Sequence, residues 1–367
     1  MAEHVADVIP ASSIGSYSGD IHLVRSRSSS NVERALTFTA RFRSVNRIYG
    51  GDAVTDLGST SIYHIPNLPE PPVELFDQNQ DRVRQTSIGV NYGQRWRGHG
   101  SFSAGILSTY YRRALDIPGV SSSPEHTLRT LPTVSFSANL SESVLLYGSY
   151  TRGLEDSTPA PSSARNRGEP APATPTSQMD AGIRVTLKPH LEWIAGVFKI
   201  EKSYFNLDQS SQYLELGHVS ARGIETSVNW TGPKGLTIVG GACWLRPEVS
   251  RRVAELGGEG STPVGPIPRT INVNVDYAPS SWKGLGTSAQ WNSFSSRVET
   301  SNNNYRLPPY TTLNLAARYN RSVFNHSYSA RLEADNVFDR NAVTLSTTYF
   351  ASSQPGRSYV VTLTADF

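Results

Sequence analysis

The chain has 367 residues, enough for two ordinary domains or one large all-β domain, with a net charge of +3 and only 37% apolar residues. That charge is too mild, and its basic residues too scattered, to argue for nucleic acid. No run of eighteen apolar residues occurs, which excludes a transmembrane helix and leaves a β-barrel open, since barrel strands need an apolar residue only at alternate positions.

The first twenty residues, MAEHVADVIPASSIGSYSGD, carry neither a basic n-region nor an apolar h-region, so no secretory signal peptide is visible. Residues 1–33 are read as an N-terminal segment, partly strand or disordered, and residues 34–367 as one β-domain. From there period-2 alternation recurs. Leu36, Phe38, Ala40 and Phe42 interleave with Thr37, Thr39, Arg41 and Arg43; Ile88, Val90 and Tyr92 with Ser87, Gly89, Asn91 and Gly93. Val134, Phe136 and Ala138 follow the same rule, as do Ile271, Val273, Val275 and Tyr277. So do Leu313, Leu315 and Ala317, then Tyr328, Ala330, Leu332 and Ala334. The last strand alternates Tyr359, Val361, Leu363, Ala365 and Phe367 with mostly polar neighbours. No comparable helical period appears.

Connections separate the two all-β alternatives. Long segments fall near 47–82, 115–126, 152–176, 203–212, 247–267, 298–305 and 338–355. Short ones fall between them, near 95–98, 140–142, 188–190, 231–234, 279–283 and 321–325. Tight turns at one end and long loops at the other fit a transmembrane barrel of about 14–15 antiparallel strands. A Greek-key sandwich scatters its loop lengths; a soluble β-sandwich or propeller-like module is the third reading.

Catalytic and metal motifs are not found. The single Cys243 forms no intrachain disulfide, and the eight histidines (His4, His22, His64, His99, His126, His190, His218, His326) include no pair at ligand spacing. They read as loop or turn residues. No G-x-S-x-G and no phosphate-binding loop occurs, so the chain is not read as an enzyme.

Seven segments in order carry a family resemblance: LLYGSYTRGLEDS (145–157); TSQMDAGIRVTL with WIAGVFKIEKSYFNLD (176–187, 193–208); LGHVSARGIETSVNW (216–230); VGPIPRTINVNVDY (264–277); LPPYTTLNLAARY (307–319); LEADNVFDRNA (332–342); and PGRSYVVTLTADF (355–367). Together they resemble the barrel of TonB-dependent outer-membrane receptors, the siderophore-receptor branch in particular. The resemblance covers 130–367 closely and 34–130 more loosely. It implies an outer-membrane location, lipid and the barrel-assembly machinery as partners, and uptake of a ferric siderophore as transported ligand, with no bound cofactor. Such receptors have a barrel of 22 strands and an N-terminal plug, through which TonB acts. No plug-like region is seen here, so the expectation is an incomplete barrel that does not transport alone; a plugless pore or surface barrel is the alternative.

The resemblance also directs attention to the mouth. Aromatic faces and guanidinium groups recognise anionic chelates. Strand parity and loop side nominate Arg152, Tyr204, Phe294 and Tyr310 as ligand-binding residues. Trp230, Tyr277 and Tyr319 read as girdle aromatics, and Tyr359, Val361, Leu363 and Phe367 as the barrel-assembly signal.

Overall fold

The computed structural model describes residues 2–60, 71–187, 190–250, 253, 260–323, 326–347 and 350–366. Alternating sequences become long strands here because each buries one face and pairs its backbone with both sequence neighbours. In chain order, β1 (Ala2–Val8) precedes β2 (Ser13–Ser28) and β3 (Val32–Tyr49), and β4 (Ala53–Thr60) turns back to pair with β1 as a two-stranded ribbon. The sheet continues through β5 (Asn79–Trp96), β6 (Gly100–Asp116), β7 (Glu125–Ser141), β8 (Val144–Glu155), β9 (Thr174–Leu187) and β10 (Leu191–Leu207). It runs on through β11 (Tyr213–Thr231), β12 (Leu236–Val249), β13 (Arg269–Tyr277) and β14 (Leu285–Phe294). A ribbon of β15 (Arg297–Val298) and β16 (Arg306–Leu307) then leads into β17 (Tyr310–Val323) and β18 (His326–Asp335). A last ribbon, β19 (Val343–Thr347) with β20 (Phe350–Ser353), precedes the closing β21 (Ser358–Asp366).

Fifteen of these strands form one antiparallel sheet in which each pairs with the next, from β2 to β21. The count agrees with the sequence reading, as does the alternation of long and short connections. Segment 1–33 contributes all of β2, whose sixteen residues pair with β3 in unbroken register. Among the described residues β2 and β21 each have one neighbour in the sheet.

Register settles which side chains share a face. Val197, Ile224 and Trp244 are aligned across β10, β11 and β12, and all three are exposed on the outer face. Phe38, Ile88, Phe136, Trp291, Leu315 and Leu332 lie on that same exposed side. The apolar band has defined limits. On β10 it runs from Leu191 to Val197 and meets Lys199; on β11 it runs from Trp230 back to Ile224 and meets Arg222. That span is seven residues on each strand, nine with the bounding charge, close to the length a tilted strand needs to cross the hydrocarbon layer. The nominated girdle residues lie at the short-turn end of the band: Tyr277 packs edge-on against Trp282 at 5.0 Å, and Tyr319 pairs with Leu285.

The inner face is polar. Asn272 stands opposite Asn292, Gln290 accepts from the Asn314 side chain at 3.3 Å, and Asp276 pairs with Arg318 at 3.7 Å. Bulky rings are accommodated there by glycine. The Tyr147 hydroxyl lies 2.5 Å from where a Cβ on Gly182 would stand and 3.0 Å from that of Gly196, so its ring spans β9 and β10 only because both positions lack side chains. The short turn between β11 and β12 needs Gly235 for the same kind of reason, with φ of +78° and the Ala278 carbonyl 2.3 Å from its absent Cβ.

The two faces should respond oppositely to charge. Val273→Arg, mid-band on the outer face, should cost about 2–4 kcal/mol in lipid vesicles, while Asn272→Arg on the inner face should cost far less. Urea unfolding of the two vesicle-inserted variants checks this; equal penalties would contradict the assignment of faces.

Candidate functional site

Chemistry concentrates on the inner face at the end with long connections. Its first component is an ionic network built by register. Arg47 and Asp81 are cross-strand partners on β3 and β5, and Val83, two residues along, is partnered by Arg113 on β6. Asp81 accepts from Arg113 through both carboxylate oxygens, at 3.0 and 2.8 Å, and from Arg47 at 3.1 Å. The Asp81 and Arg113 side chains are 2% and 4% exposed, so each charge persists there only because the other is present. Arg113 also donates to the Ser157 carbonyl, fixing the start of the β8–β9 connection to the wall. Ala173, at the other end of that connection, packs with Val45, Val83 and Tyr111, flanked by Leu154.

Beside this network lies a cleft of about 680 Å³. Asp156, Lys202, Tyr204, Phe205, Tyr213 and Pro263 contribute to its wall, drawn from four strands or their connections. Phe205 and Tyr213 face each other with ring centroids 5.9 Å apart, and the Tyr213 hydroxyl bonds that of Thr158 at 2.6 Å. Asn166 fastens the β8–β9 connection to β11, accepting from the Tyr213 N–H at 2.9 Å and donating to its carbonyl at 3.0 Å. Tyr204 packs against a small core of Leu216, Val249 and Val253. The β10–β11 turn that holds these aromatics is closed by Asp208, which accepts from the N–H groups of Gln212 and Ser210 at 2.8 Å each. Those bonds, the Gln212 one foremost, with the Ser210 hydroxyl, hold its carboxyl below the usual carboxylate range. Lys202 pairs with Glu155 at 3.6 Å across the cleft's edge.

The nominated residues separate by location. Tyr204 lines the cleft. Phe294 and Tyr310 are cross-strand partners with rings 4.7 Å apart, in a row that continues to Thr270 and Cys243 on the inner face. Arg152 is on the mouth side but on the outer face, in a row with Ser177, Glu201, Ser220 and Glu248. Tyr359, Val361 and Leu363 are exposed on β21; Phe367 lies outside the described residues. The histidines, expected in loops or turns, are largely on strands: His22 on β2, His126 on β7, His218 on β11 and His326 at the start of β18. His99 and His190 do sit in turns, and His64 lies outside the described residues. Sequence reasoning missed Asp81, Arg113, Asp156, Phe205 and Tyr213. The polar parity of Arg41 and Arg43 was visible, whereas the Asp81–Arg113 pair needs the register of β5 on β6.

Comparison with known proteins identifies the barrel. The family model for the TonB-dependent receptor-like β-barrel matches residues 10–337, and the chain belongs to this family. No curated protein sequence matches it. Among solved structures, the ferric preacinetobactin receptor of Acinetobacter baumannii superposes with a TM-score of 0.82 at 20% identity, over 97% of this chain and 55% of that one. The ferric-catecholate import receptor Fiu of E. coli K12 gives 0.75 at 13% identity, over 99% and 60%. The ferripyoverdine receptor of the outer membrane of Pseudomonas aeruginosa gives 0.72 at 16% identity, over 97% and 48%. The chain thus spans about half the length of the structures it matches. At these identities the likeness establishes the fold; the family is one of transporters rather than enzymes.

The ionic network should be costly to break on one side. Asp81→Ala strands Arg113 and should destabilise the protein by about 3–5 kcal/mol, with much of the loss recovered in Asp81→Leu/Arg113→Met. Denaturant midpoints of the three proteins check this, and an Asp81→Ala midpoint equal to wild type would contradict it.

Proposed function

We propose that this barrel wall belongs to an outer-membrane receptor that takes up a ferric siderophore, with the cleft at Tyr204 as its first binding site. The observation that carries the reading is the packing of the β8–β9 connection, with Thr262, Pro263, Val264 and Pro266 from the β12–β13 connection, over the inner face. It builds an aromatic-walled recess at the long-loop end of a barrel from a family with siderophore receptors among its members. The chemistry suits a chelate. Ring faces of Phe205 and Tyr213 offer apolar area, the hydroxyls of Tyr204 and Thr158 offer hydrogen bonds, and guanidinium groups stand behind the wall. Phe294 and Tyr310, stacked on the inner face, form a second aromatic platform in this proposal.

Lipid on the outer face and the barrel-assembly machinery at the exposed strand of Tyr359, Val361 and Leu363 are the further partners of this reading. Coupling to TonB through a plug, and transport itself, are likewise proposals about the whole receptor. In this proposal Arg152, which shares the outer face with Ser177, belongs to the rim of the lipid band rather than to the ligand.

Tyr204→Ala and Phe205→Ala should each weaken binding of a ferric siderophore about tenfold, and Arg152→Ala should leave it unchanged. Tryptophan-fluorescence titration of the vesicle-inserted chain with ferric tris-catecholate and ferric trihydroxamate complexes provides the measurement. Absence of saturable binding to either class would sink the reading.

A further inference from the structure

The inner-wall network holds more positive than negative charge. Three guanidinium groups, Arg43, Arg47 and Arg113, share two carboxylates, Asp81 and Asp156. The two carboxylates are held differently. Asp81 is enclosed and accepts three hydrogen bonds of ordinary length. Asp156 faces the Tyr111 hydroxyl and lies 3.8 Å from both Arg43 and Arg47, too far for a hydrogen bond to either guanidinium. Its side chain is 28% exposed, and those of Arg43 and Arg47 are 40% and 31% exposed. Asp156 is also part of the cleft wall, at the junction between strand β8 and its inward-folded connection.

We propose that Asp156 is an internal stand-in for an anionic group of the ligand. Arg43 and Arg47 then form a two-guanidinium subsite for carboxylate or catecholate oxygens, and Asp156 holds it until such a group arrives. The proposal rests on the reading of the cleft as a chelate site and adds to it a charge class and a gate. A tethered carboxylate has a high effective concentration, so it outcompetes weak monoanions. A chelate with several anionic oxygens replaces two loose ion pairs with short charge-assisted hydrogen bonds, for which the planar guanidinium fork is suited. A neutral chelate gains nothing by displacing Asp156, so the same carboxylate acts against it as a selectivity element.

The test removes the charge and keeps the shape. The full chain in lipid vesicles is titrated with a trianionic ferric tris-catecholate and a neutral ferric trihydroxamate, for wild type, Asp156→Asn and Asp156→Asn/Arg43→Gln/Arg47→Gln. Asp156→Asn should bind the trianion about tenfold more tightly at low salt, with the gain shrinking as salt rises and the neutral complex unaffected. The triple variant should lose the gain. If Asp156→Asn binds the trianion no better than wild type while Tyr204→Ala still weakens binding, the stand-in is wrong and the cleft reading survives. If no variant binds either complex, both fall together.

Discussion

Backbone N–H and C=O groups held away from water must find partners, and the rest of this structure follows from that requirement. The cheapest solution is a meander, each strand bonded to the one before and the one after; the fifteen strands follow one another without a crossover, and among the described residues all but β2 and β21 have both neighbours. Pairing in turn fixes two faces by parity. One face carries a band of apolar side chains bounded by aromatic and charged residues, as at Trp244, Lys199 and Arg222; the other carries Asn272, Asn292 and Asn314. Short turns suffice at one end, and the long connections gather at the other, where β8–β9, β12–β13 and β14–β17 are joined.

Those connections would be solvated loops if nothing drew them inward. For the β8–β9 connection, what draws it is the inner wall's own chemistry. Arg113 reaches the Ser157 carbonyl, Ala173 joins Val45, Val83 and Tyr111, and Asn166 clasps the backbone of Tyr213. Polar and apolar contacts act together, since burial of Asp81 and Arg113 is tolerable only under the cover that the connection provides. The cleft is therefore a product of the loops' anchoring rather than of the strands alone. A ligand that shifts the anchoring of Asp156 would change the shape of the recess that binds it.

Much of this was legible in sequence, and the division has a physical basis. Local parity is written in neighbouring residues, so Leu36, Phe38, Ala40 and Phe42 announce an outer face before any partner is known. Alternating loop lengths are likewise local. Register is not: the Asp81–Arg113 pair is separated by 32 residues and exists only because β5 and β6 align at one of several possible offsets. The face of Arg152 is a second case. Its place at the mouth followed from loop side, but its face is set by the parity of β8, in which Leu145 and Tyr147 point inward. β2 reads only as partial strand for a third reason, because Gly15 and Gly19 dilute its apolar alternation to Tyr17, Ile21 and Leu23.

The central claim is that one face of this sheet is solvated by lipid while the other lines the site. All six tryptophans bear on it: Trp96, Trp193, Trp230, Trp244 and Trp291 share the outer face, and Trp282 packs at the short-turn end of the band. The direct measurement is quenching of their emission in vesicles whose lipids carry bromine at defined depths along the acyl chain. The account predicts strong quenching by acyl-chain bromine together with weak quenching by aqueous iodide. Emission quenched by iodide and indifferent to brominated lipid would contradict it.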